Sequence, residues 1–168
     1  MHIEEARLAF IMAWGSFGVS WGITRTMAQV HALLLVNTRA LCTDDVLEHL
    51  RISRGNASIS LNQLVQWGLI QRVVLAGERK DYYTAEKDVH KIASAIIRER
   101  KKREVEPLLS FLENLAPLDD AGANADAQQL TRLTDELRSM VRSADAAMEK
   151  FIRADAGWLQ KLLIFTAG

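Results

Sequence analysis

The sequence has a single cysteine, two prolines and no long apolar run, and these shortages exclude several classes of protein. A lone cysteine cannot form an intrachain disulfide, which favours a reducing, cytoplasmic location. The apolar stretch Trp158 to Phe165 is interrupted by Gln160 and Lys161 and is too short to span a membrane. Because the N-terminal segment lacks the basic head of a signal peptide, we expect a cytoplasmic protein without a membrane partner.

Motifs of enzyme chemistry are also missing. There is no glycine-rich phosphate loop, no nucleophile elbow and no carboxylate pair in a recognisable cleft. The histidines show no ligand spacing with one another or with Cys42, so we expect no enzyme, no cofactor and no metal. We expect His31, on an apolar helix, to be a hydrogen-bonded core residue. Cys42 precedes a predicted helix and is either a redox-sensitive thiol or, as we favour, an inert one.

Two consecutive helices are predicted in the middle of the chain. Thr43 caps a short helix that ends at Leu50, and a tight break follows at Arg51-Ile52. Ser53 then caps a second helix, 53–67, which Gly68 terminates. This spacing is typical of a helix-turn-helix motif.

A two-stranded hairpin is predicted directly after the second helix. The apolar, β-branched run Leu69 to Leu75 favours a strand, Ala76 to Lys80 a charged turn, and Asp81 to Thr84 a returning strand. Helix, turn, helix and hairpin in this order predict a winged helix-turn-helix, with residues 76–81 as the wing.

The second helix has a composition that suits contact with DNA bases. Ala57, Leu61, Leu64 and Val65 recur at helical spacing and are predicted to pack inward. The remaining positions carry amides, hydroxyls and one arginine but no acid, groups that pair with base edges and phosphates. The alternative is a polar solvent-facing surface. The predicted DNA-binding residues, with those of the hairpin, are Ser53, Arg54, Gly55, Asn56, Ser58, Ser60, Asn62, Gln63, Arg72, Arg79 and Lys80.

The charges are segregated, although the net charge is zero. Residues 51–103 hold twelve Lys/Arg against five Asp/Glu, whereas residues 113–149 hold three against eight. A basic half that coincides with the predicted motif favours a DNA-facing surface over random scatter. The run Arg98 to Arg103 is either a phosphate anchor or a solvated helix face.

Three segments resemble the GbsR-type branch of the MarR-like winged-helix transcriptional regulators. They are WGITRTMAQVHALLL (21–35), SRGNASISLNQLVQWGLI (53–70) and GERKDYY (77–83), and the similarity extends from the N-terminal helices to the wing. The resemblance implies a homodimer that binds a near-palindromic operator and often responds to a small ligand. It places Ser53, Arg54, Asn56, Ser58 and Ser60 on the recognition helix. It also implies that Arg79, at the wing tip, enters the minor groove, oriented by Asp81.

The N-terminal region combines helices with an aromatic cluster. We predict an amphipathic helix from Ile3 to Phe17, a break or kink at Gly15, Gly18 and Gly22, and an apolar helix from Thr24 to Val36. Trp14, Phe17 and Trp21 lie close in sequence and could bind a quaternary ammonium effector by cation–π attraction. Some members of the similar family are tied to choline and glycine betaine metabolism. Core or dimer packing is the alternative that we favour.

The C-terminal half is predicted to be helical. Asp88 can cap a helix that extends to Leu115, in which Pro107 introduces a kink or a new start, and Ala116 to Ala127 reads as a loop. An apolar seam at alternating three- and four-residue steps follows: Leu130, Leu133, Leu137, Met140, Ala144, Ala147, Phe151, Ala154 and Trp158. Its partner is a second subunit, as we prefer, or the preceding helix of the same chain.

The sequence therefore predicts a mainly α protein with a small β-hairpin wing: a winged helix-turn-helix domain over residues 1–87, and long C-terminal helices over 88–168 that form a dimerisation region. We expect a sequence-specific regulator of transcription, most simply a homodimeric, ligand-responsive repressor that binds double-stranded DNA. The alternatives are a winged-helix module for protein contacts and a non-specific architectural DNA binder.

Overall fold

The computed structural model describes residues 1–115 and 124–154, which divide into two compact units, one up to Ile92 and one from Ala93 onward. Most of the predicted loop 116–127 and the seam residue Trp158 lie outside the described residues. None of the described helices is long and apolar enough to cross a membrane. The helices are α1 (Ile3–Ser20), α2 (Arg25–Val36), α3 (Thr43–Leu50), α4 (Arg54–Gln66), α5 (Val89–Arg100), α6 (Glu106–Asn114) and α7 (Ala125–Arg153), and the strands are β1 (Leu41–Cys42), β2 (Ile70–Val73) and β3 (Tyr82–Ala85).

The three strands form one small antiparallel sheet in the order β1-β3-β2. Ile70 pairs with Ala85 and Val73 with Tyr82, so the predicted hairpin is confirmed, although its first strand ends at Val73 rather than Leu75. β1 pairs Leu41 with Tyr83 and was not predicted. A two-residue strand carries no alternating pattern, and its formation depends on a partner 42 residues away in the sequence, as the pairing of 41 with 83 shows.

Helix α2 is the centre of the first unit. Seven of its residues are buried, among them Met27, Val30 and Leu34. Thr24 caps the helix by accepting a hydrogen bond from the Met27 N–H at 3.1 Å. Each large apolar side chain buried here contributes roughly 1.5–3 kcal/mol to folding. The burial on α2 therefore holds the helices around it in place.

Helix α1 is continuous through Gly15 and Gly18, so the predicted break at these two residues is wrong. Both glycines are buried against α2. A Cβ at Gly15 would lie 2.7 Å from Gln29 Cγ, and one at Gly18 would overlap the Cβ of Ala28. The glycines therefore serve close helix packing rather than a turn. The break occurs at Gly22, whose φ of 78° suits glycine.

Lys87 fastens the chain after the wing to the end of α2. Its Nζ donates to the carbonyl oxygens of Leu34 at 2.7 Å, Leu35 at 2.6 Å and Asn37 at 2.9 Å. The last carbonyls of a helix lack intrahelical partners, and one ammonium supplies three donors here. Partial burial of the ammonium lowers the pKa of Lys87.

The helix predicted from Asp88 to Leu115 is divided in two. Asp88 caps α5 as predicted, accepting from the Lys91 N–H at 3.1 Å. A π-helical turn, Lys101–Val105, separates α5 from α6, and Pro107 lies in the first turn of α6. Proline has no N–H to donate within a helix, so a new helical start at this position is favourable, as the sequence predicted.

The π-helical turn is tied to α7 by Lys101. Its half-buried ammonium lies 3.0 Å from Asp145, 3.2 Å from Glu106 and 3.4 Å from Glu149. Hydrogen bonds to these carboxylates, that to Asp145 first, raise the pKa of Lys101 well above its ordinary range. The cluster fixes the turn against the C-terminal helix of the same unit.

The predicted seam of α7 is only partly buried among the described residues. The buried residues of α7 are Ala127 and Val141, and Arg138 donates to the Leu112 carbonyl oxygen of α6 at 2.8 Å. Three seam residues are exposed: Leu130, Leu133 and Met140, at 46%, 51% and 62%. Ala144 and Ala147 are exposed, whereas Leu137, Phe151 and Ala154 are half-buried. Within the described residues the seam is therefore covered only in part, and whether its partner is the preceding helix or a second subunit stays a prediction.

Candidate nucleic-acid interface

Capping residues define where α3 begins and ends and where α4 begins. Cys42, rather than the predicted Thr43, is the N-cap of α3, and its N–H donates to Asp45 Oδ2 at 2.8 Å. This bond lowers the pKa of Asp45. Arg51 ends α3 in the left-handed conformation, with φ of 52°. Ser53 caps α4 as predicted, accepting from the Asn56 N–H at 3.2 Å.

The outward surface of α4 is polar and contains no acid. We call its exposed residues between positions 54 and 63 the reading face: Arg54, Gly55, Asn56, Ser58, Ile59, Asn62 and Gln63, preceded by exposed Ser53. Predicted inward residues Ala57, Leu61 and Leu64 are buried, and Val65 is half-buried. The predicted helix 53–67 is thus confirmed, with its polar side facing outward.

Two residues of α4 differ from the sequence prediction. Ser60 is only 3% exposed, so its assignment to the DNA-binding surface is wrong. Position 60 lies three residues after Ala57 and four before Leu64, and this helical spacing places it on the inner face. Ile59, which was not predicted, is 60% exposed on the reading face. The same spacing would have identified both residues.

Gly55 leaves open space on the reading face. A Cβ built at this position would meet nothing within 4 Å among the described residues. Packing within the chain therefore does not require glycine here. The missing side chain allows a groove or another surface to approach the backbone closely.

The hairpin carries three cations in different settings, Arg72 on β2 and Arg79 and Lys80 in the wing. Arg72 on β2 lies 3.4 Å from Asp81 and places its guanidinium carbon 5.8 Å from the centre of the Tyr83 ring. Asp81 therefore orients Arg72, and the expectation that it orients Arg79 is wrong. Arg79 is exposed in the loop between β2 and β3, where Gly77 has a φ of 83°.

Asp44 joins α4 to the wing. Its Oδ1 accepts from Arg54 Nη2 at 2.7 Å, and its Oδ2 accepts from Lys80 Nζ at 2.7 Å. The bonds from Lys80 and then Arg54 lower the pKa of Asp44, and Asp44 raises the pKa of Lys80. Asp44 lies in the first turn of α3. Its two partners are 10 and 36 residues away, a separation that local patterns do not report.

A solved structure described as that of a transcriptional regulator is similar to this chain. The match has a TM-score of 0.64 and 22% sequence identity, and it covers 88% of this chain and 95% of that chain. The fold is a winged helix-turn-helix. No family model matches the chain, and no curated protein matches it.

The aromatic residues before the winged helix pack on one another. Trp14 and Trp21 lie edge-to-face at 5.1 Å between ring centres, and Phe17 stacks on Trp21 at 6.4 Å. Phe10 stacks on Trp14 at 5.4 Å. The predicted cluster is therefore present, in an arrangement that aromatic packing explains. A quaternary ammonium site at these rings stays a prediction.

His31 connects this cluster to the core of the winged helix. Trp14 Nε1 donates to His31 Nδ1 at 3.3 Å, and the histidine is 2% exposed, as predicted for a hydrogen-bonded core residue. Burial, and then the positive charge of Lys87, lowers the pKa of His31 to about 4. The ring is therefore neutral at pH 7, with the Nδ1 lone pair accepting from Trp14.

Proposed function

We propose that the protein is a sequence-specific regulator of transcription that binds double-stranded DNA. In this proposal, α4 enters the major groove and the wing contacts the adjacent minor groove. The observation that carries it is the reading face, which displays amides, hydroxyls and an arginine with no acidic side chain. A helix face used only for solvation in a soluble protein is usually rich in Glu and Lys. The similar fold of a transcriptional regulator supports the same function.

Each group on the reading face has a partner on base edges. Asn56, Asn62 and Gln63 can pair bidentately with adenine, and Arg54 with guanine. Exposed Ile59 supplies an apolar surface for a thymine methyl group. Gly55 permits the close approach that these contacts need.

The wing extends the proposed contact beyond the major groove. Exposed Arg79 lies in the loop between β2 and β3, where it can enter a narrow minor groove. Arg72, held by Asp81 and by the Tyr83 ring, is suited to a phosphate contact. In this assignment the wing raises the affinity for DNA, and it does so most where A·T-rich sequence flanks the site.

The proposed partner of the exposed seam on α7 is a second copy of the chain. Leu108 and Phe111 of α6, in the same unit, are also exposed, at 47% and 63%. Several large exposed apolar side chains on one unit favour an interface. A two-fold dimer would present two reading faces to the two halves of a near-palindromic operator, in the cytoplasm where the DNA is found.

Repression and response to a small effector complete the proposal. A dimer bound at an operator would block transcription, and an effector would change the angle between its two DNA-binding units. The first unit offers two places for an effector: the Trp14–Phe17–Trp21 cluster, and a cavity of about 460 Å³ between α1, α2 and the α3–α4 turn. That volume lies within the usual range of ligand sites.

Replacing Asn56 by alanine is expected to weaken binding to a cognate duplex by roughly 1–3 kcal/mol, because a bidentate base contact is lost. The cognate duplex is obtained by rounds of selection from a random pool with the wild-type protein, and binding is measured by fluorescence anisotropy. Gln66→Ala, at the exposed C-terminal end of the same helix, is the matched control and should bind normally.

The same titration separates the proposed function from its alternatives. A wild-type protein that binds no duplex would favour a protein-contact module. Equal binding to selected and random duplexes would indicate an architectural DNA binder. Normal binding by Asn56→Ala would remove this residue from the base contacts.

A glutamate at Met140 is expected to raise the dimer dissociation constant at least about tenfold, because it buries a charge in the proposed interface. Sedimentation equilibrium of the wild-type protein and the variant measures this constant. Ser139→Glu adds the same charge one residue away, outside the seam, and should leave it unchanged. A wild-type protein that sediments as a monomer at micromolar concentration would contradict the dimer.

A further inference from the structure

Asp44 forms an ion-pair bridge with cations from two other elements of the winged helix. One oxygen pairs with Arg54 at the start of α4, and the other with Lys80 in the wing, both at 2.7 Å. All three side chains are substantially exposed, at 44%, 70% and 58% for Asp44, Arg54 and Lys80. The bridge therefore lies on the surface that would meet DNA and is not part of the core.

We propose that Asp44 is a specificity-determining residue, an internal anion that occupies Arg54 and Lys80 until DNA of the correct sequence displaces it. The inference rests on the proposed function. In the free protein the carboxylate occupies the place of a phosphate. Because the bridge is exposed, it adds little to folding, and its effect is on binding.

Non-specific binding to DNA comes almost entirely from Lys and Arg side chains that neutralise phosphates and release counterions. A cation already paired with Asp44 releases fewer counterions when a phosphate approaches, and Asp44 itself repels that phosphate. Random sequence offers Arg54 nothing beyond a phosphate. The bridge therefore persists in non-specific complexes and weakens them.

A cognate sequence offers Arg54 a different partner. A bidentate contact with guanine is worth roughly 1–3 kcal/mol of discrimination, enough to replace an exposed ion pair. Once Arg54 turns to the base, Lys80 is free to reach a phosphate. The bridge thus penalises incorrect sites more than correct ones.

Other acids near this surface have different partners. Asp81 pairs with Arg72 at 3.4 Å, and Asp45 accepts from the Cys42 N–H at 2.8 Å. Asp44 is the carboxylate that holds cations of both the recognition helix and the wing. Its position in the first turn of α3 brings it between them.

The test compares Asp44→Asn with Glu48→Gln, which removes the same charge from the exposed side of the same helix. Each protein is titrated by anisotropy against a random duplex and the selected duplex between about 50 and 200 mM salt, a range over which phosphate contacts change affinity steeply. For Asp44→Asn we expect the salt slope on random DNA to steepen by about 1–2, since each added phosphate contact contributes about 0.9. Affinity for random DNA should rise more than for the selected duplex, lowering their ratio about tenfold.

A second variant assigns the effect to the bridge. Adding Lys80→Gln to Asp44→Asn should restore about one unit of the slope, because one of the two released cations is gone. Equal effects of Asp44→Asn and Glu48→Gln would overturn the inference in favour of general charge. Weaker binding to both duplexes with an unchanged slope would overturn it too, leaving Asp44 a positioning residue.

The outcomes distinguish this inference from the proposed function. If the wild-type protein binds its selected duplex and Asp44→Asn behaves identically, only the inference fails. If the wild-type protein binds neither duplex, the proposed function fails and the inference fails with it. Thermal melting of each variant, before titration, verifies that the proteins compared are folded.

Discussion

The free energy of unfolding should fall by about 3 kcal/mol less between pH 7.5 and pH 4 in the His31→Gln variant than in the wild-type protein. The histidine pKa falls from 6.5 in the unfolded chain to about 4 in the folded protein. Its neutral form is therefore the one that folding favours. The contribution is fully present above pH 6.5 and is lost as the pH falls towards 4, because the unfolded chain takes up a proton that the core excludes.

Urea unfolding of the wild-type protein and His31→Gln at several pH values measures this difference. His2→Gln, which makes the same replacement at an exposed position, is the control. Buried carboxyl interactions such as that of Asp45 contribute to acid unfolding in all three proteins and cancel in the comparison. A His31→Gln variant with the wild-type slope between pH 6.5 and 4 would contradict a neutral His31 in the core.

Replacing Gly18 by leucine should destabilise the protein by about 3 kcal/mol, at the upper end of the range for overpacked cores. A Cβ at this position would overlap Ala28 Cβ and lie 3.1 Å from Ile23 Cγ1, so α1 must move away from α2. The move would also disturb the Trp14–His31 hydrogen bond. Denaturant unfolding, with unchanged m-value as evidence of two-state behaviour, measures the loss.

Gly55 supplies the matched control for this prediction. It is also a helical glycine, but it has open space around its missing Cβ. Gly55→Ala should stabilise the protein by about 0.5–1 kcal/mol, since alanine has the higher helix propensity. A Gly18→Leu variant as stable as the wild type would show that the α1–α2 contact is looser than described.

Local signals explain why the helix-turn-helix could be predicted from the sequence. The Ser53 cap and the termination at Gly68 depend on residues within a few positions of each other. The inward residues of α4 followed from helical period alone. From these features the polar side of α4 could be predicted to face outward, and this side makes up most of the candidate interface.

The remaining features depend on partners distant in sequence. β1 forms only because Tyr83 returns beside Leu41. The roles of Gly15 and Gly18 depend on α2 lying against them, and without that contact the same glycines resemble a break. Asp44 could not be assigned because neither Arg54 nor Lys80 is its neighbour in the chain. Ser60, by contrast, could have been placed on the inner face from helical spacing. It was assigned to the DNA-binding surface because serine is a polar residue.

The hydrogen bonds of Lys87 join two parts of the chain that are far apart in sequence and so close a long loop. They join residues 50 to 53 positions apart, and the segment between them contains α3, α4 and the whole β2–β3 hairpin. A segment fastened at both ends has fewer open conformations than one fastened at a single end. The candidate interface therefore cannot loosen from its C-terminal side without releasing three carbonyl groups at the end of α2. Its local opening is coupled to the stability of the core helix.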